Sequence, residues 1–176
     1  MSDIVLPEQI QTDWIENLAL DELNMDEAGI VHFDDHLNID RILEESSLDL
    51  MNKIRDLVEV YTIRFNQYRG EKAQGSQIKI FKISNTINDF MLFRNSLKLV
   101  FARKSGDVIS VGFVSNTGGL YAARLNRSEP ALNKAHEIRA GVGPFNKVTW
   151  RFQGELLDTP AMVRHYMTEF IKNSAR

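Results

Sequence analysis

The chain has 176 residues, of which 43% are hydrophobic and 26% are charged, and it contains no cysteine. This length fits one domain, with or without an additional arm, and the apolar fraction is sufficient for a hydrophobic core. The lack of cysteine excludes disulfides, thiolate metal ligands and a cysteine nucleophile.

Targeting signals are not evident in the sequence. The first residues lack the basic and apolar regions of a secretory signal. No apolar run approaches the roughly 20 residues that a membrane-spanning helix requires. We therefore expect a cytoplasmic protein that does not associate with a membrane.

Charge is distributed very unevenly along the chain. Residues 1–49 contain 14 Asp or Glu and a single base, Arg41, which gives this segment a charge of −13. The rest of the chain contains 20 Lys or Arg and 10 Asp or Glu, a charge of +10, so the net charge is −3. Such an asymmetry within one small chain predicts electrostatic partners.

The acidic N-terminal segment is too rich in apolar residues for a plain disordered tail. Trp14 and Leu18 lie four residues apart, and together with their apolar neighbours they predict a short amphipathic helix over residues 8–23. We therefore predict two parts: an acidic, partly apolar N-terminal arm over residues 1–45, and an α+β domain over residues 46–176.

A long helix opens the predicted domain. Apolar residues recur at three- and four-residue spacing over residues 50–68. Ser46 or Ser47 is expected to cap its start, and Gly70 is expected to end it. Residues 39–45 form an earlier helical turn that is compatible with one continuous helix.

The sequence after the long helix has the character of β-strands. Strands are predicted over residues 77–83, 90–93, 97–104, 108–114 and 120–125. Short segments rich in Asn, Gly, Ser and Asp separate them, which favours sequential antiparallel hairpins.

The C-terminal part is predicted to be mixed. Ser128 is expected to cap a short helix that ends by Gly141, and residues 147–153 form a further strand. Thr159 as N-cap and Pro160 at the first helical position open the last helix. The predicted fold is α+β: a curved antiparallel sheet of about five to six strands, with the long N-terminal helix and the C-terminal helix packed on one face.

Two metal-binding patterns in the arm are incomplete. Residues 24–35 place oxygen-bearing side chains at EF-hand positions 1, 3 and 12, but Ala28 stands at position 5 and Asp35 replaces the bidentate Glu. His32 and His36 are four apart, yet the adjacent Gly and β-branched residues disfavour the helix that would align them. We predict no metal site and no cofactor.

No catalytic residues are predicted either. The sequence has no Gly-x-Ser-x-Gly elbow and no His-Glu-x-x-His motif. An enzyme would require a site in which residues such as Glu155, Asp158 or His165 converge only in three dimensions.

Basic residues are concentrated in the strand-rich half, where several alternate with core positions. We expect them on one solvent-exposed face of the sheet, beside Phe90, Phe93 or Tyr121. The predicted partner-binding residues are Lys79, Lys82, Arg94, Lys98, Arg103, Lys104 and Arg124 of this basic surface, with Trp14 and Phe33 of the arm.

These features predict a non-catalytic protein-interaction module, in which the acidic arm docks on the basic sheet surface or on a partner. A protein partner or self-association is the expected mode of action. Two alternatives remain. One is a nucleic-acid-binding protein regulated by its acidic arm, because basic groups beside aromatic rings suit phosphate contact and base stacking. The other is a small enzyme.

Overall fold

The computed structural model describes residues 10–31, 35–115, 120–121 and 135–175. Its contacts divide the chain into two compact units, Met1–His36 and Leu37–Arg176. The described helices are α1 (Asp13–Ala28), α2 (Ile39–Arg69) and α3 (Thr159–Ser174). The described strands are β1 (Lys79–Lys82), β2 (Phe90–Arg94), β3 (Leu97–Ser105), β4 (Val108–Val114), β5 (Leu120–Tyr121), β6 (His136–Val142), β7 (Val148–Phe152) and β8 (Glu155–Leu156).

The second unit contains one antiparallel sheet. Seven strands follow one another in the order β1-β2-β3-β4-β6-β7-β8, and the two-residue β5 pairs with β4 beside this path. The α+β class is confirmed, but the predicted number of five to six strands is wrong. The sheet is also not strongly curled.

One of the strands that the prediction missed lies in the C-terminal half. A short helix was predicted from Ser128 that ends by Gly141, but His136–Val142 form strand β6, paired with β4 on one side and β7 on the other. The polar Glu137 and Arg139 alternate with Ile138 and Ala140, as in a strand, but Ile138 is the only large apolar residue among them and the only fully buried one, so the strand signal is weak. The start of the predicted helix and residues 122–125 lie outside the described residues.

Helix α1 confirms a helix in the arm, displaced toward the C terminus. It ends at Gly29, whose φ of 65° suits glycine and whose N–H donates to the carbonyl of Met25 at 2.9 Å. None of its residues is buried.

Helix α2 is longer than the predicted long helix because the earlier turn is continuous with it. Asn38 caps its start by accepting a hydrogen bond from the backbone N–H of Arg41 at 3.3 Å. Ser47, one of the predicted caps, lies inside the helix and donates to the carbonyl of Glu44 at 2.7 Å. Gly70, with a φ of 73°, ends the helix as predicted.

The hydrophobic core lies between the sheet and the two helices of the second unit. Phe90 and Phe101 stack on neighbouring strands with ring centroids 4.8 Å apart, and Tyr166 of α3 approaches Phe101 edge-on at 6.4 Å. Met51 and Ile54 of α2 belong to the same buried cluster. Both helices therefore pack on one face of the sheet.

The start of α3 differs by one residue from the prediction. Asp158, not Thr159, is the N-cap, and its carboxylate accepts a hydrogen bond from the N–H of Ala161 at 3.0 Å. Asp158 is therefore a capping residue.

Candidate interaction surface

The sheet has a second face, opposite the helices. Residues directly across an antiparallel pair share a face, so the strand registers separate the two sides. We call the side opposite α2 and α3 the open face. Its exposed and half-buried members include Lys79, Phe81, Met91, Phe93, Lys98, Val100, Ala102, Lys104, Val114, Glu137, Arg139, Thr149, Arg151 and Leu156, whereas its β4 positions Val108, Ser110 and Gly112 are buried.

The open face has an apolar centre. Phe81, Met91 and Val100 lie directly opposite one another and form a row across β1, β2 and β3. Phe81 is 43% exposed, while Met91, Val100 and the nearby Phe93 are half-buried. None of these four side chains belongs to the core cluster. Apolar area is therefore available for contact on this side of the sheet.

Two lysines flank this apolar centre. Lys79 of β1 and Lys98 of β3 lie on either side of Phe93, each directly opposite it in register. Neither lysine forms an ion pair with any residue that the structure describes. Their charges are available to an anionic partner.

A second cationic region surrounds Glu137 on β6. Its carboxylate accepts hydrogen bonds from Lys104, at 3.0 Å, and from Arg139. These two hydrogen bonds, that of Lys104 first, hold the pKa of Glu137 below its ordinary value. Arg151 lies directly opposite Arg139 on β7, an arrangement of like charges that is unfavourable without an anion. The strand positions of the open face carry five cations and one carboxylate.

Three of the predicted basic residues, Lys79, Lys98 and Lys104, lie on the open face. Lys82 is exposed on β1 but lies opposite Phe90, on the helix side of the sheet.

Arg103 also lies on the helix side of the sheet. It donates to Ser47 Oγ at 3.3 Å and pairs with Glu44 at 3.5 Å, so it connects β3 to α2. The alternation of β3 already contains this signal, since Arg103 is in phase with Leu99 and Phe101.

Arg94 is buried, with only 4% of its surface exposed. Its Nε donates to the carbonyl of Ser76 at 2.8 Å, and its Nη1 donates to the carbonyl of Ile171 at 3.2 Å and to Ser174 Oγ at 3.3 Å. The guanidinium therefore lies at the C-terminal end of α3, where the helix dipole favours a cation.

The remaining predicted residues have varied positions. Trp14 is 64% exposed on α1, and Phe33 and Arg124 lie outside the described residues. Of the aromatic neighbours expected on the basic face, Phe93 lies on the open face and Phe90 is buried in the core.

The cavity around Arg94 is a second feature of this unit. Its volume is about 410 Å³, it is largely open to solvent, and it lies where α2 and α3 end. Its lining residues are Phe65, Arg69, Ser76, Arg94, Ile171 and Ala175. None of the residues considered for catalysis from the sequence, Glu155, Asp158 or His165, lines it.

Neither metal chemistry nor a membrane span is indicated in the described ranges. Within them, no three or more His, Asp or Glu side chains are grouped so as to hold a metal ion. His32 of the predicted histidine pair lies outside these ranges. No helix that the structure describes is long and apolar enough to cross a bilayer.

No family model, no curated protein and no solved structure matches this chain. Its function is therefore inferred from the chemistry of the open face and of the cavity.

Proposed function

We propose that this protein is a non-catalytic interaction module whose open face binds an acidic, amphipathic protein segment. The observation that supports this most directly is the composition of the open face. Half-buried apolar side chains at its centre are combined with five cations and one carboxylate at its strand positions. A partner segment with apolar and acidic residues complements both features.

The apolar centre supplies the short-range part of the proposed binding. Complete burial of an exposed Phe or Met side chain contributes about 1.5–3 kcal/mol, so the half-buried Met91, Phe93 and Val100 contribute about 1 kcal/mol each. Phe81 has more surface to lose. Aromatic residues near the centre of an interface are frequently its energetic hot spots.

The cations supply orientation and speed of association. Lys79 and Lys98 border the apolar centre, while Lys104, Arg139 and Arg151 lie farther along the sheet. Exposed charges act over about 10 Å at 0.1 M salt and about 3 Å at 1 M. The affinity for an acidic partner should therefore fall with salt, but not to zero.

The arm has the chemistry of such a partner segment. The sequence of α1, Asp13–Ala28, contains six Asp or Glu and no base. Its apolar side chains are exposed, among them Trp14, Leu18 and Leu20. We propose that the arm docks on the open face of its own chain or of a second copy, where it competes with an external partner. We propose the cytoplasm as the location of this protein.

The experiment compares amide NMR spectra of full-length wild-type protein and a Trp14→Ala, Leu18→Ala double variant. Loss of the docked side chains should shift amides around Met91, Phe93 and Val100. Leu20→Ala is the matched control, because Leu20 lies on a different side of α1 from Trp14 and Leu18. Shifts confined to α2 or α3, or equal shifts in the control, contradict docking on the open face.

Docking in one chain and docking between copies differ in their dependence on concentration. Size-exclusion chromatography with light scattering measures the mass over a hundredfold range of protein concentration. A mass that stays monomeric while the NMR shifts persist assigns docking to the same chain. A mass that rises toward a dimer assigns docking to a second copy.

A second candidate function is binding of single-stranded nucleic acid. Phe81 and Phe93 present aromatic rings beside Lys79 and Lys98 on one sheet face, which suits base stacking with phosphate contact. Fluorescence anisotropy with a labelled oligonucleotide tests it on the full chain. Binding that Phe93→Ala weakens favours nucleic acid, whereas no binding, with or without Trp14→Ala, removes this candidate.

A further inference from the structure

The cavity at the ends of α2 and α3 contains an arrangement that the proposed interaction does not explain. Arg94 and Arg69 both line it, together with the apolar surfaces of Phe65 and Ile171. The Arg94 guanidinium lies 5.2 Å from the centre of the Phe65 ring, within the range of a cation–π contact.

Arg94 is held in one orientation but keeps donor capacity. Its Nε and Nη1 donate to carbonyl and hydroxyl oxygens, as described above. Its Nη2 has no hydrogen-bond partner among the described residues. This nitrogen is also not fully enclosed by protein, so a ligand can reach it.

The second guanidinium is close enough to affect the first. Burial, and then the charge of Arg69, lower the pKa of Arg94 from its ordinary value. Arg69 itself makes only a long contact, 3.5 Å, to Ser76 Oγ. Neither arginine pairs with a carboxylate in the part of the chain that the structure describes. Two neighbouring cations without a counter-ion favour the binding of an anion.

We propose that this cavity binds a carboxylate that is attached to a small apolar or aromatic group. Arg94 Nη2 and the Arg69 guanidinium donate to the carboxylate oxygens, and the apolar group packs against Phe65 and Ile171. The volume of about 410 Å³ accommodates a ligand of this size. This binding site is independent of the proposed function of the open face.

A carboxylate fits better than a phosphate for an electrostatic reason. The carbonyls of Ser76 and Ile171 already surround Arg94, and both helices present their negative C-terminal ends here. These negative groups oppose any anion, and they repel a doubly charged phosphate more strongly than a singly charged carboxylate. The apolar lining likewise favours a ligand with one charged end.

Isothermal titration calorimetry of the full chain tests this proposal with 3-phenylpropionate as the probe. The alcohol 3-phenylpropanol is the control for the negative charge, because it has the same apolar group without the carboxylate. Inorganic phosphate is the control for the type of anion. Saturable binding of 3-phenylpropionate with at least tenfold weaker binding of both controls is expected. Equal binding of the alcohol, or no binding of the acid, overturns the proposal.

Two variants assign the binding to this cavity. Arg69→Gln removes a partly free guanidinium without changing the buried Arg94, and the dissociation constant should rise at least fivefold. Lys172→Gln removes a charge of the same sign from α3, outside the cavity lining, and should leave the constant within twofold. Unchanged affinity in Arg69→Gln, or an equal loss in both variants, contradicts the assignment.

The carboxylate can belong to a free organic acid or to the C terminus of a peptide. A tripeptide ending in phenylalanine and its C-terminal amide distinguish these sources. If the peptide acid binds and the amide does not, the cavity accepts peptide termini. If only 3-phenylpropionate binds, the cavity is specific for small acids. Equal binding of the peptide acid and the amide overturns recognition of the carboxylate.

Discussion

The boundary of the folded domain gives a prediction that the structure makes quantitative. Residues 37–176 should fold as a unit. A shorter chain of residues 46–176, which also lacks residues 37–45, should be less stable. The first turns of α2 pack against the β3–β4 turn: a methyl group added at Gly106 would lie 3.5 Å from Leu43 Cβ and 3.4 Å from the backbone nitrogen of Glu44.

The expected loss follows from the contacts of these residues. Ile42 and Leu43 are half-buried, and loss of each costs about 1 kcal/mol. The Asn38 cap contributes about 1 kcal/mol, and the partly exposed Glu44–Arg103 pair contributes about 0.2–1 kcal/mol. The free energy of unfolding should therefore fall by about 3–4 kcal/mol.

Thermal unfolding followed by circular dichroism measures this difference. For a domain of this size, 1 kcal/mol shifts the melting temperature by about 4 °C, so residues 46–176 should melt about 12–16 °C below residues 37–176. Both shortened chains lack the arm, so the comparison between them does not depend on its docking. Equal melting temperatures for the two shortened chains would refute the role assigned to the first turns of α2.

Three further predictions follow from individual side chains. Hydrogen bonds from Lys104 and Arg139 lower the pKa of Glu137, so the ionised carboxylate stabilises the fold above its unfolded pKa, and this stabilisation is lost as the pH falls through its folded pKa. In Lys104→Ala, an NMR titration should therefore give a higher pKa for Glu137 than in the wild type. Phe101→Ala should cost about 3–5 kcal/mol in urea unfolding, because the ring is fully buried in the core; a loss below 1 kcal/mol would contradict its placement. Phe145→Gly should stabilise the protein by about 0.5–1 kcal/mol, because Phe145 is fully exposed with a φ of 60°; a melting temperature below that of wild type would count against this strain.

The parts of the fold with regular periodicity were predictable from the sequence. The apolar residues of α2 recur at helical spacing, and Gly70 ends that helix as predicted. In β3, Leu97, Leu99 and Phe101 alternate with less buried residues, which identified both the strand and its inner face. Local pattern was sufficient here because each of these elements buries one continuous side.

Two features with weaker or ambiguous patterns were assigned wrongly. Strand β6 buries only Ile138 completely, and its pairing with β4 and β7 depends on contacts distant in sequence. Arg94 was predicted to face a partner. Both sides of β2 are apolar in the sequence, so only the structure shows that Arg94 shares the buried side with Phe90 and Leu92.

The candidate sites were predictable only in part. Lys79 and Lys98 were expected on an exposed face and lie on it. Their position beside Phe81 and Met91 depends on strand register, which turn geometry and pairing determine. The cavity with Arg69 and Arg94 forms only where α3 packs near the end of α2. No local pattern in the sequence indicates that these two helix ends meet.

Docking of an acidic amphipathic segment on the open face is the central claim, and photo-crosslinking in the full chain tests it most directly. Benzoylphenylalanine is introduced in place of Phe93 on the open face and, in a control protein, in place of Tyr68, which is 84% exposed on α2. Mass spectrometry then identifies the crosslinked peptides. We predict crosslinks from position 93 to residues 10–31 that 1 M salt reduces, and none to that segment from position 68. Crosslinks to residues 10–31 from position 68 but not from position 93 would contradict the account.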